Sequence, residues 1–126
     1  MSLSILAVDD EPATLKMLRL MLKLKRPEWT FHTAEDGPRA LDLVANQPVD
    51  CVLLDISMPG MDGLEVCERM RALPHMAAVP IVIFTALDTP DRREKAAAAG
   101  ATAFWLKTFQ ATEFVPEIEK LVAQAR

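Results

Sequence analysis

The chain is predicted to fold as a doubly wound α/β domain: five parallel strands in the order 2-1-3-4-5, sandwiched between two layers of helices. Three observations carry this expectation. Apolar runs alternate with helical patterns five times along the 126 residues. Parallel strands need crossover connections, so βα units in series imply a parallel sheet with helices on both faces. The fourth run, "VPIVIFTA" (79–86), is continuously apolar and branched, as suits a strand covered on both sides.

Residues 3 to 8 form the first strand. A helix runs from Pro12 to about Lys25, with Leu15, Leu18 and Leu22 on one face, Pro12 in the first turn and Pro27 as its stop. "WTFHTA" (29–34) alternates apolar and polar residues, the pattern of a half-exposed strand. Asp36-Gly37-Pro38 signals the second helix, which carries Leu41, Leu43 and Val44. "DCVLLD" (50–55) is a buried strand, "SMPGMDG" (57–63) is turn chemistry, and a third helix spans about Leu64 to Leu73. After the fourth strand, residues 88 to 99 make an alanine-rich helix closed by Gly100. "TAFWLK" (102–107) is the fifth strand and residues 112 to 125 the last helix.

Residues 1–126 read as a single domain with a core over about 4–123, without linker, repeat or low-complexity tract. A composition 51% apolar and 25% charged is that of a globular protein. A net charge of −4 leaves no broad basic surface for nucleic acid. No apolar run approaches the roughly 20 residues of a membrane span, and the N-terminus lacks a secretory layout, so the expected location is the cytoplasm. Cys51 and Cys67 sit within apolar patterns, away from metal-ligand spacing, and read as buried free thiols. Lys16, Arg19, Lys23 and Arg26 fall at helical spacing on one face, either a solvated face or a docking surface. His32 and His75 fall away from the expected crevice and read as surface residues.

In such a sheet the functional crevice lies beyond the carboxyl ends of the strands, where strand order reverses between the first and third. Asp9 and Asp10 end the first strand, Asp55 the third, Thr85 the fourth and Lys107 the fifth. Three carboxylates, a hydroxyl and an ammonium therefore converge. Close carboxylates raise one another's pKa. A divalent cation relieves that, and oxygen-only ligands select a hard ion such as Mg²⁺, or Mn²⁺ in its place. The lysine can pair with Asp55 or with a bound anion, and the Thr85 hydroxyl can bond an added oxygen. These are the parts that phosphoryl transfer to a carboxylate needs. Taken singly, each acid could be a loop residue, with Asp9 or Asp10 capping the first helix; five such residues at strand ends in one fold argue for a site.

The pieces "VDDEP" (8–12), "DISMPGMDG" (55–63), "PIVIFTA" (80–86) and "GATAFWLKTF" (100–109) resemble the receiver domain of two-component response regulators, over roughly residues 4 to 123. The resemblance implies a flavodoxin-like (βα)5 fold and a signalling phosphoacceptor that assists its own phosphorylation and dephosphorylation, rather than an enzyme. Asp55 would accept the phosphoryl group from a sensor histidine kinase or phosphotransfer domain. Asp10 would bind Mg²⁺ directly, Asp9 would orient a metal-bound water, and Ser57 would offer its backbone carbonyl. Thr85 and Lys107 would grip the phosphoryl group, with Ala86 leaving room beside it. Phe104 occupies the aromatic switch position, where many members carry Tyr. Without a hydroxyl the switch would rest on packing, carrying the signal through the fourth helix, fifth strand and fifth helix to an output domain or protein. Glu11 has no role at the site in the family and reads as helix-start charge.

The chain departs from the family pattern at two places. Thr108 stands where a proline usually follows the lysine, so the Lys107–Thr108 bond is expected to be trans, with Lys107 still pointing into the crevice. Leu87 stands where polar residues are frequent, and an apolar side chain there is expected to slow water attack. A flavin or nucleotide binder of the same fold would want a Gly/Ser/Thr-rich loop after the first strand, where "DDEPAT" would repel phosphate. A haloacid-dehalogenase-type phosphatase would need an acid at position 57. A degenerate receiver, binding a partner without phosphorylation, stays open because of Thr108. With no output domain after the last helix, the expectation is a free-standing receiver or a piece of a longer regulator or hybrid kinase.

Overall fold

A computed structural model describes residues 2–107 and 111–126, the side chains of the latter stretch from 114 onward. The elements are β1 (Ser4–Val8), α1 (Pro12–Lys25), β2 (Thr30–Ala34), α2 (Gly37–Asn46), β3 (Cys51–Leu54), α3 (Gly63–Arg71), a 3₁₀ turn (Pro74–Met76), β4 (Ile81–Thr85), α4 (Pro90–Ala98), β5 (Ala103–Leu106) and α5 (Ala111–Ala125). The strands form one parallel sheet in the order β2-β1-β3-β4-β5, as the sequence predicts.

Side-chain alternation along the strands builds two cores. Leu6, Val8, Val52, Leu54, Ile81 and Ile83 face α2 and α3, meeting Val44, Val66 and Met70. Their neighbours Ile5, Ala7, Leu53, Val82 and Phe84 face α1 and α5, meeting Leu15, Leu18, Leu22, Phe114 and Ile118. The period of two in the strands and of three to four in the helices thus closes both layers.

Register brings the carboxyl ends of the strands level. Val8 stands opposite both Ala34 and Leu54, Leu54 opposite Ile83, and Ile83 opposite Phe104. The ladder then runs one residue past the strands: Asp9 N–H donates to Ala34 O (3.1 Å), Asp55 N–H to Val8 O (3.0 Å) and Lys107 N–H to Thr85 O (2.8 Å). The backbones of the three charged residues are therefore pinned before their side chains make any contact.

Helix starts sharpen several sequence-derived boundaries. Asp36, Asp62 and Thr89 are N-caps, accepting from the amides of Arg39, Glu65 and Arg92; each such cap contributes about 1 kcal/mol. Asp62 therefore starts α3 at Gly63, and Thr89 with Pro90 starts α4 two residues later than expected. Glu11, at the N-cap of α1, makes no side-chain cap bond. Trp29 lies before β2, its amide donating to Arg26 O in the turn after α1. The basic stripe is broken up: Arg26 is past the end of α1 and pairs with Glu119 of α5 at 3.1 Å, while Arg19 stacks over the Phe31 ring. His75 is exposed, with its ring Nε2 2.7 Å from Val44 O, and His32 is half-buried.

Two features bear on the site's rigidity. A Cβ at Gly63 would fall 2.0 Å from the carbonyl oxygen of Asp55, so only glycine lets α3 start this close to the end of β3. Arg71 donates to the carbonyls of Gly100 (2.8 Å), Met76 (2.7 Å) and Val79 (2.6 Å), and to the Thr102 hydroxyl (2.9 Å). This guanidinium ties the end of α3 to the connections that lead into β4 and β5.

Candidate functional site

At the carboxyl edge of β1 and β3, Asp9 and Asp55 are buried and Asp10 is exposed at the rim. The ammonium of Lys107 lies between the two buried acids, 2.6 Å from Asp9 Oδ2 and 3.1 Å from Asp55 Oδ2. Its side chain is only 10% exposed and those of Asp9 and Asp55 are 3% and 5% exposed, so the cluster is largely shielded from water. The sequence suggested a pair with Asp55; the shorter contact is to Asp9. The other Asp9 oxygen accepts from Glu11 N–H (2.9 Å), and Asp55 Oδ1 accepts from Ser57 N–H (3.3 Å).

Electrostatics follow from this packing. Burial pushes the Asp55 carboxyl above its ordinary value; the hydrogen bond and charge of Lys107 pull it back, and the Asp9 charge pushes it up again. For Lys107, burial favours the neutral amine, but its bonds to Asp9 and Asp55 outweigh that and hold the pKa above the usual lysine value. The thiols take no part: burial lifts Cys51 to about 12 and Cys67 to about 11, so both stay protonated.

One carboxylate oxygen each from Asp9, Asp10 and Asp55 lie within 4.8 Å of one another. An all-oxygen donor set carrying excess negative charge fits a hard divalent cation. Mg²⁺ is therefore expected to stabilise the fold, by about 2.7 kcal/mol at a free concentration about 100 times its dissociation constant. Thermal melts with and without the ion measure this. Asp10→Ala, a change at the exposed rim, should remove most of the Mg²⁺-dependent rise; a full rise in that variant would place the ion elsewhere.

Thr85 is buried at the end of β4, its carbonyl bonded to Lys107 N–H. Ala86 and Leu87 are exposed beyond it, and Ser57 is exposed beside Asp55. Phe104 on β5 is half-buried against the core facing α2 and α3. Its ring also meets a cation the sequence reading did not include: the Arg93 guanidinium sits 4.7 Å from the ring centroid, and Asp88 holds it with two bonds of 2.6 and 2.8 Å. The spacing of five residues from Asp88 to Arg93 across the Thr89 cap was the available signal. The Lys107–Thr108 bond lies outside the described residues.

The strand ends of this doubly wound domain thus bring an acid cluster and a buried lysine together at the switch point. The response regulator receiver domain model matches residues 5–119, and the chain belongs to that family. Response regulator PleD of Caulobacter vibrioides is 40% identical over 107 residues, covering 85% of this chain and 23% of PleD. Response regulator MprA of Mycobacterium sp. (strain KMS) is 37% identical over 122 residues, covering 97% of this chain and 51% of MprA. The chain thus spans about a quarter to a half of the length of these relatives. Among solved structures, the response regulator TrrA of Thermotoga maritima, in complex with Mg²⁺-BeF, is similar with a TM-score of 0.80 and 33% identity, covering 96% of this chain and 99% of that one.

Proposed function

We propose that this domain accepts a phosphoryl group on Asp55 from a histidine kinase or phosphotransfer domain, and passes the signal on through the face formed by α4, β5 and α5. The observation that carries the reading is the buried bridge of Lys107 between Asp9 and Asp55, with Asp10 at the rim. In the transfer, an Asp55 carboxylate oxygen forms a bond to phosphorus. The phosphorus–nitrogen bond of the donor breaks, its electron pair stays on the imidazole ring, and that ring takes up a proton. Lys107 supplies a fixed positive charge beside the acceptor oxygen, and Thr85 a hydroxyl for a phosphoryl oxygen. Asp9 and Asp10, with the Ser57 carbonyl, would hold Mg²⁺, whose charge would offset that building on the phosphoryl oxygens. A phosphorylation-independent interaction module would be favoured by a Lys107 turned to solvent; its inward position supports the acceptor reading.

Two surfaces suit the partners. Met17, Leu20 and Leu24 are exposed on α1 beside Lys16 and Lys23, an apolar strip with a basic rim that suits the acidic, helical surface of a phosphodonor. Phe104 and its Arg93 partner link β5 to α4 on the output side. Acetyl phosphate with Mg²⁺ should give one phosphoryl adduct by intact mass, and none when the ion is chelated. Beryllofluoride should then move amide resonances along α4 and β5; shifts confined to the acid cluster would argue against an output switch.

A further inference from the structure

We propose that Arg92 captures the anionic phosphoryl group of the donor at the mouth of the Asp55 crevice. The proposal rests on Asp55 being the acceptor. Three carboxylates against one ammonium leave this site net negative, and a divalent cation held there would only bring the sum to zero, so the anionic phosphoryl group of a donor meets no net attraction. A further cation at the rim would supply it, and α4 presents three candidates. Arg93 is held by Asp88 and stacked on Phe104, and Lys95 pairs with Asp91 at 3.2 Å. Arg92 makes no ion pair among the described residues; its Nη1 instead reaches across to the β3–α3 connection, 3.5 Å from the Ser57 hydroxyl.

That placement follows from the start of the helix. The Thr89 cap accepts the Arg92 amide at 3.1 Å, setting Arg92 in the first turn of α4, directly after the short segment that follows Thr85. Ser57 is two residues from the acceptor, and its own amide bonds Asp55 Oδ1 at 3.3 Å. Ser57 thus touches the acceptor carboxylate through its amide and the guanidinium through its hydroxyl. A contact of 3.5 Å is at the outer limit of a hydrogen bond and holds the side chain loosely. An incoming phosphate offers it charge and a matched pair of oxygens, which a hydroxyl cannot. With an acyl phosphate donor, an Asp55 oxygen bonds phosphorus, the phosphorus–oxygen bond breaks and its electron pair leaves on acetate. Both carboxylates are anionic, so no proton is transferred, and Arg92 holds phosphoryl oxygens throughout.

The test is the second-order rate constant for phosphorylation by acetyl phosphate in saturating Mg²⁺, followed by intact mass at several salt concentrations. Arg92→Gln should lower it about threefold to tenfold, as a partly exposed charge-assisted contact supports, and should flatten its salt dependence. Arg92→Lys should recover part of the loss. Lys95→Gln removes the same charge from the same helix and should change the constant by less than about twofold, because that cation is already engaged by Asp91. Melting curves for each variant confirm folding. Equal losses in Arg92→Gln and Lys95→Gln would reduce the effect to net charge and overturn the assignment, as would an unchanged Arg92→Gln. A wild type that takes no phosphoryl group would instead overturn the acceptor reading, and the assignment with it.

Discussion

Lys107→Met should lower stability at neutral pH by about 3 kcal/mol, the low end of what removing one partner of a buried ion pair costs. Two nearly enclosed carboxylates, Asp9 and Asp55, would lose the only ammonium bonded to both among the described residues. The low end applies because Asp10 marks a side of the cluster open to water. For a domain of this size the loss corresponds to roughly 10–15 °C in the unfolding midpoint.

The pH dependence separates charge from packing. In the wild type, burial and then Asp9 push the Asp55 pKa up against the pull of Lys107, and the balance is already upward. Removing the lysine leaves only the upward causes. A carboxyl with a raised folded-state pKa binds its proton more readily when folded than unfolded, so its stability contribution falls as pH rises through the window between the two values. The deficit of Lys107→Met relative to wild type should therefore be largest at neutral pH and shrink on acidification toward the ordinary carboxylate range. Mg²⁺ should shrink it as well. A deficit constant from neutral pH to about pH 4, where an unfolded Asp55 titrates, would mean that the lysine stem acts by packing alone. The lysine's own contribution falls with rising pH as well, but in a far higher window: with its pKa raised, it is intact below the usual lysine range and is lost only as pH climbs through the raised value.

Much of this architecture was legible because it depends on residue types at short spacing. Alternating apolar strand residues and helical leucines give the layers, and the rule about strand ends places Asp9, Asp10, Asp55, Thr85 and Lys107 at one edge. What was not legible depends on partners that sequence does not mark. Arg71 is anchored by backbone carbonyls of Gly100, Met76 and Val79, atoms every residue carries. The choice of Asp9 over Asp10 for the buried bond depends on how the chain leaves the pleat after Val8; the motif "DD" is silent on that. Helix starts were ambiguous where capping residues crowd, as at Asp88 and Thr89, and only the Arg92 amide identifies Thr89 as the cap. Arg26 fits the periodicity of α1 but lies beyond its end, where Glu119 of α5 is its partner.

Asp55→Asn should abolish the phosphoryl adduct while leaving the fold as stable as the wild type or more so. The carboxamide keeps the shape of the side chain and an oxygen for Ser57 N–H, whose bond to Asp55 is 3.3 Å. It has no anionic oxygen to attack phosphorus, so the loss should be complete. Stability moves the other way because the ionised Asp55 carboxylate is disfavoured in the folded state, first by burial and then by the Asp9 charge, which together exceed the help from Lys107. A neutral side chain removes that disadvantage, and Lys107 keeps its shorter bond to Asp9 at 2.6 Å. The expected gain is up to about 1 kcal/mol at neutral pH, since the lost bond to Lys107 offsets part of it. By the same linkage, the gain should fade as pH drops and the wild-type carboxyl takes up its proton. Mg²⁺ should stabilise the variant less than the wild type, because one of three carboxylates near the ion is gone. Intact-mass analysis after acetyl phosphate treatment, paired with melts across pH, reads all of this from one variant. Because the fold is retained, a missing adduct reports the chemistry of residue 55, and an adduct that persists would assign the acceptor to another side chain.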